Sequence, residues 1–240
     1  MVSYYLQDIV DGVAEGTVRD QARNAVLPKL DIEVRSWFNP NLKFQWFFLP
    51  NIIGMLSFIL GLVVTGLSVA REREVGTFDQ LLVSPATPTE IALAKLVPGC
   101  IIGLVHGTIF LLISVFGFGV PFTGTVALLY ASMLFFAAAA GGIGLMVSSL
   151  SSTQQQAFLG AFTIGVPCIL ISGAITPVVN MPPFLQYASQ INPLCHFVGI
   201  CQGLFLKNMT LAATLSRLWK IVVISSVAVT VAIFVFRRRT

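Results

Sequence analysis

From Phe47 onward the chain is a series of long apolar runs separated by short polar breaks. The runs cover roughly residues 47–70, 96–118, 124–147, 157–177 and 218–236. Each is close to or above the ~20 residues that an α-helix needs to cross about 30 Å of hydrocarbon. Membrane strands would instead show segments of about ten residues alternating apolar and polar. The pattern therefore predicts an all-α, polytopic transmembrane helical bundle with five spans. Trp37, Trp46 and Phe48 stand before or at the start of the first run, as interfacial aromatic anchors do.

The breaks differ in kind. Residues 71–95 hold seven charged side chains, Arg71, Glu72, Arg73, Glu74, Asp79, Glu90 and Lys95. Burying them would cost on the order of 20 kcal/mol on insertion scales, so this connection lies outside the hydrocarbon. Residues 178–206 are uncharged and broken by Pro182, Pro183 and Pro193 into two halves, each too short to span. They predict a re-entrant hairpin of two short helices that returns to the same side. Residues 1–46 read differently. Val2, Tyr5, Leu6, Ile9 and Val13 suggest an amphipathic helix, and Asp31 to Arg35 alternate like a strand. One helix and one strand enclose no core, so 1–46 is expected to be the tail of an extracytoplasmic domain and 47–240 the transmembrane domain.

Composition sharpens this picture. Of the 240 residues, 56% are hydrophobic and only 10% charged, with mean hydropathy +0.88, against about 25% charged in soluble domains. No Asp, Glu, Lys or Arg occurs between Lys95 and Lys207. A water-soluble surface is excluded, and no basic aromatic patch suggests nucleic acid. Four spans separate the 71–95 loop from Arg237-Arg238-Arg239, so both face one side, which the positive-inside rule makes cytoplasmic. The segment 1–46 is then outside, which implies a further span upstream of Met1. Cys100, Cys168, Cys195 and Cys201 lack metal spacing and read as small packing residues, with a Cys195–Cys201 disulfide an unsupported alternative.

The charged loop carries the candidate mechanism. Over Arg71–Ser84, Val75, Phe78, Leu81 and Leu82 share a helical face, so a short amphipathic helix is expected there, with Arg71 and Glu74 spaced to pair. Thr87-Pro88-Thr89-Glu90 then reads as a capping box that starts the next helix. Two readings stand for the surface helix: a loop anchor, or a docking element that receives a push from a cytoplasmic partner.

The run Ala70-Arg71-Glu72-Arg73-Glu74-Val75-Gly76-Thr77-Phe78-Asp79-Gln80-Leu81-Leu82-Val83-Ser84-Pro85 resembles the signature of type-2 ATP-binding-cassette (ABC) exporter permeases. The likeness continues in Glu90, in Lys95 to Pro98, in Asn192-Pro193-Leu194 with His196-Phe197, in Gly203 to Lys207 and in the basic C-terminus. It implies a six-span subunit with an extracytoplasmic domain after its first span. It also implies a homodimer or heterodimer of permeases working with ABC ATPase subunits in a bacterial inner membrane. The coupling helix would comprise Arg71, Glu72, Arg73, Glu74, Gly76, Thr77, Phe78, Asp79 and Gln80, followed by the Thr87–Glu90 cap. Asn192 and Pro193 would shape the outer hairpin, with His196 in it as a candidate lining of the exit. Against that pattern, the chain is expected to lack the first span and most of the extracytoplasmic domain, and it has Leu49-Pro50-Asn51 where Pro-Gly would be expected.

No GxxxxGK[ST] motif occurs, so no cofactor is expected on this chain, and ATP and Mg²⁺ belong on a partner ATPase. No metal site is expected either. Gly99, Gly103 and Gly107, and the pairs Ala137/Gly141 and Ala138/Gly142, have the spacing of close helix contacts, within the subunit or at a dimer seam. His106 is the titratable group deepest in a span and a candidate pathway residue, although a neutral His also serves simply to bond a neighbouring helix. Residues 148–156 (SSLSSTQQQ) read as a solvated cytoplasmic turn, with a second contact for the ATPase as the alternative. An ion-gradient carrier is the alternative from another class, yet the spans hold no carboxylate to bind a coupling ion. An inactive, shortened permease is the third reading.

Overall fold

Apolar runs with no free water to satisfy their backbone must close their hydrogen bonds internally, and here they do so as helices. The computed structural model describes residues 44–239. The helix and strand expected within residues 1–43 lie outside the described residues, as does the expected 1–46 tail apart from residues 44–46, which begin the first spanning helix. The unit Lys43–Thr240 contains eight α-helices among its described residues: α1 (Phe44–Val75), α2 (Phe78–Leu82), α3 (Pro88–Leu112), α4 (Val126–Leu150), α5 (Gln154–Leu170), α6 (Pro183–Ile191), α7 (Pro193–Leu206) and α8 (Leu211–Arg239). A π-helical turn, Ile113–Gly117, prolongs α3.

Four helices are long and apolar enough to cross a bilayer: α1, α3 with its π turn, α4 and α8. The fifth expected span is α5, which at 17 residues stands at the short limit for crossing. It stops at Leu170 rather than Pro177, because the chain turns through Ile171–Ser172 into Gly173 at φ +85°. In the other direction α8 begins at Leu211, several residues before the apolar run.

The central pair is α1 and α4. Half of the apolar window of each is buried, against 28% for α3 and 22% for α8. In lipid there is no hydrophobic drive between helices, so close packing and polar contacts must hold them. The small residues supply the closeness. A Cβ on Gly103 would touch Ala137, one on Gly61 would touch Ala140, and one on Gly142 would lie 2.9 Å from the Ala228 backbone. Gly99 faces Thr65 and Gly107 faces Met133. The small-residue stripes thus pack helices within this chain. Large rings fill the space beyond them: Phe136 stacks on Phe197 at 4.2 Å and 5°, and Phe58 on Phe136 at 5.9 Å.

The two ends of the bundle are chemically distinct. The end of α1, α2, the start of α3, the α4–α5 turn and Arg237–Arg239 gather at one end, joined by Arg73 to the Ser149 carbonyl and by Phe78 to Phe236. The α6–α7 hairpin and the start of α8 lie at the other, linked by Lys220 and Gln190. The charged loop and the Arg triplet therefore share one end, as the parity of the spans requires.

Candidate functional site: the charged corner and the outer hairpin

The charged corner is made by a helix stop. Gly76 has φ +80°, a left-handed conformation that side chains with a Cβ resist. Its N–H donates to the Arg73 carbonyl at 3.2 Å, and the Thr77 N–H donates to the Glu72 carbonyl at 2.9 Å. This is a Schellman closure with glycine at C′. Arg71, Glu72, Arg73, Glu74 and Val75 are consequently the last turn of the spanning helix α1. This corrects the expectation of one amphipathic helix over Arg71–Ser84. Val75 is 64% exposed whereas Phe78 is buried, so the two do not share a face, because Gly76 redirects the chain between them.

After the break α2 is only five residues long. Phe78 plugs it onto the bundle, edge-on to Phe236 at 6.1 Å, with the Arg73 guanidinium 4.9 Å from its ring centroid. Thr77, Asp79 and Gln80 are exposed, as is Arg71. Val83 then leads to Thr87, whose Oγ1 accepts from the Glu90 N–H at 3.3 Å while Glu90 Oε2 accepts from the Thr87 N–H at 2.7 Å. The Thr87 hydroxyl also bonds Glu90 Oε2 at 2.8 Å. The expected capping box is present, with Pro88 at N1. These bonds, the backbone one first and the hydroxyl second, hold the Glu90 carboxyl below the usual carboxylate range on the aqueous side of the first turn.

The final turn of α1 grips every element around it. Arg73 Nη1 donates to the Ser149 carbonyl at 2.7 Å and to the Ser151 carbonyl at 3.4 Å, and Nη2 reaches the Arg239 carbonyl at 3.5 Å. These are end carbonyls of α4 and α8, where a cation also meets the negative helix terminus. Glu74 Oε2 accepts from the Gln154 N–H at 2.7 Å, at the first turn of α5, where a carboxylate is favoured. Glu74 therefore caps α5, in place of the pairing with Arg71 suggested by spacing. Glu72 forms an ion pair with Lys95 of α3. One turn deeper, Ser148 Oγ accepts from the backbone N–H groups of both Val69 and Ala70 at 3.0 Å. The SSLSSTQQQ segment is thus a structured partner of the corner. An apolar groove of about 450 Å³ runs between Leu81 of α2 and Ile91, Ala94 and Pro98 of α3.

At the opposite end Asn192 caps α7 through Oδ1, which accepts from the Leu194 N–H at 3.0 Å. Its Nδ2 donates to the Cys168 carbonyl of α5 at 2.6 Å. Pro193 sits at N1 and is buried. His196 is 2% exposed and bonds the Gln190 carbonyl through Nε2 at 2.8 Å. It fastens α6 to α7 and does not face an open exit. His106 accepts from or donates to Ser57 Oγ at 3.0 Å through Nδ1 and lies against Phe110, so it links α3 to α1. Cys195 and Cys201 are buried and free, which disposes of the disulfide alternative. Among the described residues no group of His, Cys, Asp and Glu is placed to hold a metal ion.

Two further polar residues belong with these: buried Asn51, which the sequence marked only as a departure from Pro-Gly, and half-buried Gln202, which it did not mark. Asn51 of α1 donates to the Ala174 carbonyl at 2.9 Å and accepts from Gln202 Nε2 of α7 at 2.8 Å. The available signal was a polar Asn within an apolar run.

Residues 7–206 match the family described as ABC-2 type transporter, and the chain belongs to that family. It is 42% identical over 235 residues to the probable multidrug ABC transporter permease YbhR of Escherichia coli (strain K12), an alignment that covers 98% of this chain and 63% of that relative. Identity to the inner membrane transport permease YhhJ of the same organism is 30% over 237 residues, with 98% and 63% covered. The probable multidrug ABC transporter permease YbhS is 35% identical over 183 residues, covering 75% of this chain and 48% of that protein. The chain thus spans less than two thirds of the length of these relatives. It is a multi-pass membrane protein of the ABC-2 type transporter family.

Proposed function

We propose that the chain is the membrane-spanning permease of an ABC-type efflux transporter. It exports a drug-like or lipid-like substrate with energy from ATP hydrolysed, with Mg²⁺, on a separate ATPase subunit, and it works beside a second permease subunit. The observation that carries this reading is the corner. Residues Arg71–Gln80 expose a charged tip, yet Arg73, Glu74, Glu72 and Phe78 bind it to α3, α4, α5 and α8. A push delivered there by a cytoplasmic ATPase is transmitted to four helices together. The names of the relatives, two of them probable multidrug permeases, support the drug-like choice.

The test is a pull-down of the tagged chain from membranes in mild detergent, with mass spectrometry of what accompanies it. A stoichiometric P-loop ATPase, lost when exposed Arg71, Asp79 and Gln80 are replaced together by Ala, is the expected result. A folded chain that brings no ATPase would overturn the reading.

A further inference from the structure

Within the described residues every carboxylate sits at one end. Glu72, Glu74, Asp79 and Glu90 are the only Asp or Glu between residues 44 and 239, and all belong to the charged corner. At the other end α8 carries Arg217 and Lys220, three residues apart and so on one face. The Arg217 guanidinium lies against the bare backbone of Gly199 in α7, where a Cβ would come within 2.9 Å of its Cζ. Lys220 Nζ reaches Gln190 Oε1 of α6 at 3.4 Å. Both cations are half-buried, and the described part of this end offers them no anion. Partly desolvated charge calls for a counter-charge.

Depth indicates where that charge comes from. Arg217 precedes Arg237 by twenty residues on one helix, about 30 Å of rise and so the thickness of the hydrocarbon. With the Arg triplet at one headgroup layer, Arg217 and Lys220 stand at the other. Trp219 beside them is 57% exposed, and Phe184, Tyr187 and Ile191 expose 69%, 77% and 76% along one side of α6. Aromatic and apolar surface next to a cation pair at phosphate depth is the chemistry of a phospholipid, with its acyl chains on the rings and its headgroup on the charges.

We propose that Arg217 and Lys220 form a binding site for the phosphate of a phospholipid in the leaflet at the hairpin end, with preference for anionic headgroups. Because Lys220 holds α6 and Arg217 packs against Gly199 of α7, the bound phosphate fastens the hairpin to α8. This proposal is independent of what the permease transports.

Trp219 is the reporter. The full chain with Trp37→Phe and Trp46→Phe is placed in nanodiscs of zwitterionic lipid containing a minor fraction of acyl-brominated phosphatidylglycerol or, separately, acyl-brominated phosphatidylcholine. Quenching should favour the brominated phosphatidylglycerol. Arg217→Gln or Lys220→Gln should each lower that preference about fivefold, and the double variant about thirtyfold or to none. Arg238→Gln, at the far end, should leave it unchanged. Equal quenching by the two lipids in the parent protein, or full preference in a folded double variant, overturns the proposal. So does loss of the preference with millimolar inorganic phosphate, which would make the occupant a soluble anion. A preference that emerges only when Asp and Glu within residues 8–33 are neutralised would assign the counter-charge to that segment, and would overturn it too.

Discussion

Replacing Gly76 with Ala isolates the backbone of the corner. Gly76 sits at φ +80° with nothing within 4 Å of where a Cβ would be, so Ala introduces no clash. Its whole cost is the left-handed conformation, about 1–2 kcal/mol. In a competing state where α1 runs straight on, the same change is favourable by about 1 kcal/mol, since Ala is the better helix former. The balance between corner and straight helix therefore moves by about 2–3 kcal/mol, or roughly 30- to 150-fold. Burial of Phe78 and the Arg73 bonds act on the corner in both proteins and cancel in the comparison. Straightening would carry Val83 about 12 Å along the helix axis, eight residues at 1.5 Å each. Val83 and Arg238 are exposed, so spin labels there would report the change. The wild type should give one distance, Gly76→Ala a second and longer population, and Gly76→Asn, which tolerates φ above zero, an intermediate result. Transport should fall in the same order while membrane insertion is retained. Gly76→Pro, with φ fixed near −65°, should be the most severe. Superimposable distances and equal unfolding stability for Gly, Asn and Ala would refute the argument that the glycine backbone makes the corner.

Three further outcomes are expected. Gly144→Ala drives a Cβ into Thr65 Oγ1 and to 2.6 Å from the Leu62 carbonyl oxygen; it should cost about 1–3 kcal/mol by overpacking, whereas Gly117→Ala, whose nearest contact is a side-chain carbon at 3.7 Å, should be near neutral in detergent thermal denaturation. A double-mutant cycle on Asn51→Ala and Gln202→Ala, read by reversible unfolding in bilayers or mixed micelles, should return a coupling of about 0.6 kcal/mol and not above about 1.7. Glu90 has its folded pKa depressed by Thr87, so its contribution is present above the unfolded pKa and is lost as pH falls through the depressed one. Exchange protection of the Thr87, Glu90 and Ile91 amides, corrected for the pH dependence of intrinsic exchange, should hold from neutral pH down through the ordinary carboxylate range and fall only below it. Glu90→Gln should weaken that pH dependence, and Thr87→Ala should raise exchange at neutral pH.

The spans and the capping box were legible in the sequence because each rests on local chemistry. Twenty apolar residues have few alternatives to a membrane helix, and Thr87-Pro88-Thr89-Glu90 meets a rule that spans three residues. The division of 178–206 into two short helices followed from Pro182, Pro183 and Pro193, and from halves too short to span. The corner was misread where two local signals compete. An apolar periodicity through Val75, Phe78, Leu81 and Leu82 favoured one helix, while Gly76 followed by Thr77 favoured a stop, and the φ +80° backbone shows that the stop prevails. Spacing also suggested the partner of Glu74, but an N–H at the start of α5, 80 residues away, takes its carboxylate. The Asn51–Gln202 bond joins positions 151 residues apart, and no local pattern reports such a pair. His196 illustrates the same limit, since its burial depends on how α7 packs and not on its own neighbours in sequence.

The placement of these contacts changes which element would serve as the lever on the proposed reading. A separate amphipathic helix would have had to transmit force through its own packing, yet α2 has five residues and chiefly Phe78 to hold it. The polar grip belongs instead to the last turn of α1, where Glu72, Arg73 and Glu74 reach α3, the ends of α4 and α8, and the first turn of α5. The other end of α1 is gripped as well, by Asn51 on Ala174 and Gln202. Arg73 follows Asn51 by 22 positions, about 33 Å of continuous helix. Along that length α1 runs close against α4, with Gly61 facing Ala140 and Gly66 facing Gly144. Ser148 of α4 accepts two α1 backbone N–H groups just below the corner. A displacement of the corner is thus a displacement of α1 itself, and it arrives at the hairpin end through Asn51. On the proposed reading α2 and the exposed Arg71, Asp79 and Gln80 would form the contact surface, and α1 would be the beam that carries the motion across the membrane.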